Sequence, residues 1–157
     1  MKITLLTVGK TTNIHLIKLQ EEYQNRLKFY IPFELIVIPE LKNTKNLSVT
    51  EQLEKEADLI LKNFDATDKV VLLDEKGKQF SSVAFSEYMA KEIMSTQKRM
   101  IFVVGGPYGF SGRVYERANH KISLSSMTFS HQMIRLIFVE QLYRAMSILK
   151  GEPYHHE

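Results

Sequence analysis

Three stretches of the chain hold residues whose types and spacing could do chemistry. The first is VVGGPYGFSG, residues 103–112. Gly105, Gly106 and Gly109 allow a tight turn and a close approach of backbone to a bound molecule. Their spacing is not G-x-G-x-x-G and no Lys-Ser/Thr follows, so neither a dinucleotide fold nor a P-loop is indicated. A plain strand-to-helix turn would satisfy the same pattern. The second stretch is SLSSMTFSHQMIR, residues 123–135. Its hydroxyls, with the open amides of a helix start, could hold polar groups of a ligand. Ser130 is equally suited to cap that helix. Arg135 falls at the edge of an apolar surface, where a cation calls for an anionic partner. The third stretch is the tail GEPYHHE, residues 151–157. An imidazole titrates near neutrality and suits proton transfer, but two adjacent histidines without nearby Cys or an acidic cluster do not make a metal site. On its residues alone the tail reads as a disordered end.

These stretches must be positioned by regular elements, and the apolar pattern supplies them. Five β-branched or Leu-rich runs, residues 3–8, 33–38, 70–73, 100–104 and 121–124, are nearly continuous in apolar residues. Strands buried on both faces look like this. Helical patterns lie between them at about 13–29, 49–63, 82–97 and 111–118, and a last one covers about 130–149. The alternation predicts a single α/β domain over 1–157 with a mainly parallel sheet in three layers. Ser48 with Glu51 forms an S-x-x-E capping box, and Asp74-Glu75-Lys76-Gly77 reads as a turn after the third strand. Gly151 and Pro153 stop the last helix. The polar segment 39–48 reads as a mobile loop. Open α/β sheets bind ligands beyond the carboxyl ends of their strands, which points to the positions just after 73, 104 and 124.

The last helix is apolar on more than one side. Ile134, Ile137, Phe138, Leu142, Ala145, Ile148 and Leu149 share one face. Leu136, Val139, Tyr143 and Met146 lie beside it, leaving Glu140, Arg144 and Ser147 as a narrow polar strip. Packing on a sheet needs one face, so the second set predicts burial against a partner chain; a helix enclosed within its own domain is the alternative.

Composition narrows the classes. With 44% apolar and 25% charged residues the chain reads as a soluble globular protein. No apolar run approaches the ~20 residues of a membrane span. The opening MKITLLTVGK lacks a signal-cleavage site, and reads as the first strand of a cytoplasmic protein. The absence of cysteine excludes disulfides, thiolate metal sites and cysteine nucleophiles. A net charge of +3 is compatible with RNA binding without arguing for it.

Taken together, VGG-x-x-G, SLSSMTFSHQMIRLIFVEQLYRAMSILKGEPYHH and the opening MKITLLTVGK resemble one family. It is the RlmH-like family, the small SPOUT methyltransferases that modify N3 of a pseudouridine in large-subunit (23S) ribosomal RNA. The likeness spans the whole chain and is most specific between Met127 and His155. It implies a C-terminal trefoil knot and S-adenosyl-L-methionine as methyl donor, with no metal. Carried over by position, the cofactor site would include Leu73, Gly105 and the loop Leu124, Ser125, Ser126, Met127, Thr128 and Phe129. The resemblance also implies a homodimer in which the last helices pair, with Tyr154 and His155 of the tail reaching the substrate site. The added His156 and Glu157 are a departure from the family's ending.

The imide N3 must lose its proton as it reacts, which calls for a base or for stabilisation of the anion. His155 is the first candidate for base or substrate-positioning group and His131 the second. Arg135 is a candidate to stabilise the anion or hold a phosphate. A dimer at twice +3 is weakly charged for gripping free RNA. A structured target is therefore expected, the assembled ribosome or a late subunit, read by shape. The rival readings are a SPOUT enzyme for another base or for tRNA, and a non-catalytic ribosome-binding factor on the same fold.

Overall fold

The computed structural model describes residues 1–156; Glu157 lies outside the described residues. Five strands, β1 (Lys2–Val8), β2 (Phe33–Ile38), β3 (Lys69–Gln79), β4 (Arg99–Val104) and β5 (His120–Ser123), form one sheet in the order β2-β1-β4-β3-β5. Every neighbouring pair is parallel. The side chains divide by alternation. Ile3, Leu5, Val71, Met100 and Phe102 point into one layer, and Leu6, Val8, Val70, Leu72, Ile101 and Val103 into the other. Helices α1 (Ile14–Leu27), α3 (Ser82–Ile93) and α5 (Met133–Leu149) cover the first face; α2 (Val49–Leu61) and α4 (Gly112–Arg117) cover the second. Burial on both faces is why the strands carry unbroken apolar runs.

Three of the strands open on a cation that is neutralised across the amino edge of the sheet. Lys2 of β1 pairs with Glu34 of β2, Lys69 of β3 with Glu92 at 2.7 Å, and the Arg99 Nε of β4 donates to Asp68 at 2.9 Å. Helix starts are fixed by side chains. Asn13 accepts from the amides of His15 and Leu16, Ser48 from Glu51 and Ser81 from Ala84. Ser130 Oγ accepts from Met133 N at 3.1 Å and its carbonyl from Ile134 N at 3.0 Å, so the expected cap forms, although regular helix begins only at Met133.

Two expectations are corrected. The residues Asp74-Glu75-Lys76-Gly77 do not end the third strand. They loop out within it, because Leu73 and Lys78 both register with Ile122 of β5. The strand resumes beyond them, and the bulge projects Asp74, Glu75 and Lys76 at the carboxyl side of the pairing. On α5, Val139 and Met146 do not await a partner. The helix lies between α1 and α3, and this groove buries Phe138, Val139, Leu142, Ala145 and Met146 together. Ile134, Ile137 and Ile148, expected on the core face, are only partly covered. The 39–48 loop contains a left-handed Asn43 and one 3-10 turn at Thr44–Asn46.

The end of α5 explains the course of the tail. Gly151 takes φ +68°, a conformation costly for residues with a Cβ. Its amide donates to Ile148 O, and the Glu152 amide donates to Ser147 O. This six-to-one and five-to-two pair is a Schellman turn, and it sends residues 152–156 back along the helix.

Candidate functional site

Helix α3 leaves β3 on one face of the sheet and α4 leaves β4 on the other, so the two strands' connections part between them. Such a switch point opens a crevice at the carboxyl ends. A cleft of ≈ 590 Å³ lies there, within the range of small-molecule sites. Leu73 forms its wall at the start of the β3 bulge, Gly105 its floor after β4, and Leu124, Ser125, Met127, Thr128 and Phe129 its third side. Ser126 belongs to the same loop but does not line the cleft. His131, half-buried before α5, does line it.

The walls are held by short-range bonds. Ser123 Oγ donates to Ser125 O at 2.8 Å, and the Met127 amide donates to Ser125 Oγ at 2.9 Å. Thr128 Oγ1 reaches Glu75 of the bulge at 3.5 Å. A Cβ on Gly105 would stand 2.9 Å from Gly109 O and 3.0 Å from the Phe110 ring. Only glycine lets the chain fold that tightly onto itself. Tyr115 donates to the Asp74 carboxylate, and burial, with that bond, pushes its phenol up to about 12. The Tyr115 hydroxyl therefore stays protonated and donates to Asp74, which lines the cleft. The sequence had pointed to the position just after 73 but offered no signal for Tyr115, because the two meet only when β3 and α4 are packed.

Arg135 is placed differently from its expectation. It is 1% exposed. Its Nη2 donates to Val8 O at 2.8 Å, and its Nη1 to Gly9 O at 2.9 Å and Thr11 Oγ1 at 3.1 Å. The carbonyls at the end of β1 need donors where the sheet stops, and α5 passes above them. The guanidinium is committed to the end of β1 and to Thr11, buried away from the surface. Burial lowers its pKa, and the charge of Glu40 partly restores it.

The tail is ordered by contacts rather than frayed. Tyr154 donates to Glu140 Oε1 at 2.9 Å and lies 3.3 Å from the Tyr23 hydroxyl. Arg144 donates to the same Glu140 oxygen at 2.7 Å and meets His155 Nδ1 at 3.1 Å. A guanidinium has no acceptor, so Nδ1 supplies the lone pair. Arg144 also stacks 4.7 Å over the Tyr154 ring, and Tyr30 donates to Glu152. Burial first, then the bonds to Tyr23 and Glu140, raises the Tyr154 phenol above its ordinary value. Glu140 and Arg144 were not singled out from sequence, although their i,i+4 spacing on the polar strip was visible. Neither Tyr154 nor His155 lines the cleft of its own chain. Ile134 does, and Arg144 lies ten helical steps further on, roughly 15 Å.

Among the described residues no three His, Cys, Asp or Glu side chains converge as a metal ion would require. No helix among the described residues is long and apolar enough to cross a membrane.

Comparison with known proteins gives a consistent set of likenesses. The family described as "Predicted SPOUT methyltransferase" matches residues 1–155. A protein of Parabacteroides distasonis named ribosomal RNA large subunit methyltransferase H is 60% identical over 100% of both chains. One of the same name from Flavobacterium johnsoniae is 56% identical, again over 100% of both. Among solved structures, the tRNA (m1G37) methyltransferase of Aquifex aeolicus superposes with a TM-score of 0.57 at 15% identity, covering 100% of this chain and 76% of that one. At that identity the last likeness speaks for the fold alone.

Proposed function

This chain belongs to the SPOUT methyltransferase family, and from that membership we propose that it methylates large-subunit ribosomal RNA with S-adenosylmethionine, at N3 of a pseudouridine. The observation that carries the cofactor assignment is the cleft at the β3–β4 switch point. The residues present fit such a ligand. The Gly105 turn leaves room that a side chain would fill, Ser125 and Thr128 offer hydroxyls, Leu73 and Leu124 offer apolar contact, and Asp74 offers a carboxylate to a cationic group. When bound, the cofactor supplies an electrophilic methyl group on a sulfonium.

The protein's part is to place the acceptor nitrogen in line with that methyl group and to help its proton leave. His155 is assigned as a positioning group, its ring oriented by Arg144; it would serve as base only where substrate binding frees Nδ1 from that guanidinium. Tyr154 is assigned as a positioning group, with its hydroxyl proton given to Glu140 and its oxygen left as an acceptor. His131, on the cleft itself, is the second candidate base. Because the tail and the cleft of one chain lie apart, the reading includes a homodimer in which each tail serves its partner's cleft. The partly covered Ile137 and Ile148 and the exposed Leu149 of α5 support such pairing. A trefoil knot belongs to the same reading, supported by the chain's return from edge strand β5 to α5, between α1 and α3. The acceptor is an assembled ribosome or late subunit in the cytoplasm, recognised by shape, in keeping with a charge of only +3.

The test uses large subunits and ribosomes from cells lacking the protein, incubated with it and methyl-labelled S-adenosylmethionine. Mass spectrometry of digested RNA should find the label on N3 of a pseudouridine. Cofactor binding without any labelled nucleotide would refute the enzymatic reading. A label on another base would refute the acceptor.

A further inference from the structure

The carboxyl edge of the sheet carries unequal charge on the two sides of the cleft. The bulge within β3 carries Asp74 and Glu75, with Lys76 offsetting one of them. Beyond β1 and β2 stand Lys10, Lys42 and Lys45, with Glu40 and the buried Glu56 beside it as the carboxylates on that side. These two strands are neighbours, paired up to Val8↔Ile38 and continued by Gly9 N donating to Ile38 O at 2.7 Å. β1 in turn pairs with β4, whose end carries the Gly105 turn. The three lysines therefore lie on one rim, reached from the cleft by crossing β4 and β1.

All three are exposed, and none has an ion pair or hydrogen bond among the described residues. Glu40 is drawn over Gly9 instead, its carboxylate within 2.5 Å of where a Cβ there would stand. The left-handed Asn43 and the 3-10 turn after it give the loop a set course between Lys42 and Lys45. At the opposite, amino edge, the cations that open β1, β3 and β4 are each met by a carboxylate. Unpaired like charges on a shared rim repel one another, and an external polyanion would relieve that repulsion.

We propose that Lys10, Lys42 and Lys45 form the rim on which the phosphate backbone of the RNA rests, so that RNA enters the site from the β1–β2 side and not across the acidic β3 bulge. This rests on the reading of the chain as an RNA methyltransferase, and it adds which surface grips the substrate. Phosphate contacts of this kind set orientation and carry salt dependence without reading sequence.

The test compares wild type with K10A/K42A/K45A, with K10R/K42R/K45R, and with K55A/K91A/K98A, which removes three exposed lysines elsewhere. Equilibrium binding to large subunits is measured without turnover across a salt series, beside S-adenosylmethionine binding and KM. The alanine triple should weaken subunit binding by roughly 10-fold or more and cut the slope of log K against log salt by about 2, at ~0.7 per phosphate on a single strand. Its cofactor affinity and kcat should stay at wild type, which also shows that it folds. The arginine triple should bind as wild type does. A rim triple with unchanged affinity and slope, or a K55A/K91A/K98A protein that loses as much, overturns the proposal. Lysine-dependent binding by a wild type that transfers no methyl would instead defeat the enzymatic reading and leave the rim standing.

Discussion

Replacing Arg135 with Met separates a structural arginine from a substrate-binding one. Methionine keeps much of the volume and removes the charge and every donor. Two charge-assisted bonds to the carbonyls of Val8 and Gly9 are lost, with a third to Thr11 Oγ1. Bonds of this kind are worth about 1.5–3 kcal/mol each. The sum is reduced because the variant no longer buries a cation whose burial is itself unfavourable. The lower end, about 3 kcal/mol of destabilisation, is the expected net. For a chain of this length that corresponds to roughly 6–12 °C in Tm. Far-UV circular dichroism melts of wild type, R135M and R135K at pH 7 measure it, with R135K expected in between because one ammonium can serve one carbonyl. Single-turnover methyl transfer at a temperature where all three are folded completes the test. An R135M protein that melts within about 2 °C of wild type but transfers methyl far more slowly would refute the structural assignment and return Arg135 to the substrate.

Four further outcomes follow from the geometry. Gly105→Ala should weaken S-adenosylmethionine binding by about 10-fold or more in calorimetry and lower the melting temperature by several degrees, since the added Cβ meets Gly109 O at 2.9 Å and overpacking costs about 1–3 kcal/mol. His155→Ala should slow single-turnover methylation roughly 100-fold if the ring is the base, and a near-normal rate would remove it from the mechanism. Burial pushes the Asp68 carboxyl up, but the Arg99 bond, the Asp65 amide and the charges of Arg99 and Arg117 outweigh it and hold it below its ordinary value. Its contribution is thus complete above about pH 4 and lost as pH falls through the lowered value, so Asp68→Asn should lower Tm at pH 7 and flatten the acid limb below pH ~4. Glu56, buried with no hydrogen bond among the described residues, is raised by burial and then by Glu40. Its contribution is complete below the ordinary Glu value and is lost as pH rises through the raised one, so Glu56→Gln should melt higher than wild type at pH 7 and level with it near pH 4.

What the sequence disclosed, and what it hid, depended on the range of the interaction. The five strands were legible because burial on both faces writes itself into consecutive residues such as 100–104. The three strand ends that build the cleft were legible because topology alone places ligands there. The second half of β3 was not. Its pairing with β5 resumes after four polar residues that look like any turn. The stripe of Val139 and Met146 was visible but ambiguous, since a groove between two helices of the same chain and a partner helix demand the same apolar pattern. Arg135 was misread because its acceptors are backbone carbonyls 126 and 127 residues away, and no side-chain pattern announces a carbonyl. The tail read as disordered on composition because much of what fixes it, Tyr23 on α1 and Tyr30 in the turn after it, is remote in sequence.

The Arg135 tie also constrains how the molecule comes into being. The end of β1 is capped by a residue synthesised 127 positions after Val8. At ~5–20 residues per second on the ribosome, β1 waits between about 6 and 25 s for that cap. Until α5 emerges, the groove between α1 and α3 stands open and the third side of the cleft has nothing to brace it. Nascent chains halted before residue 133 should therefore present exposed apolar surface to chaperones, and competence should arrive late, with release of the finished chain.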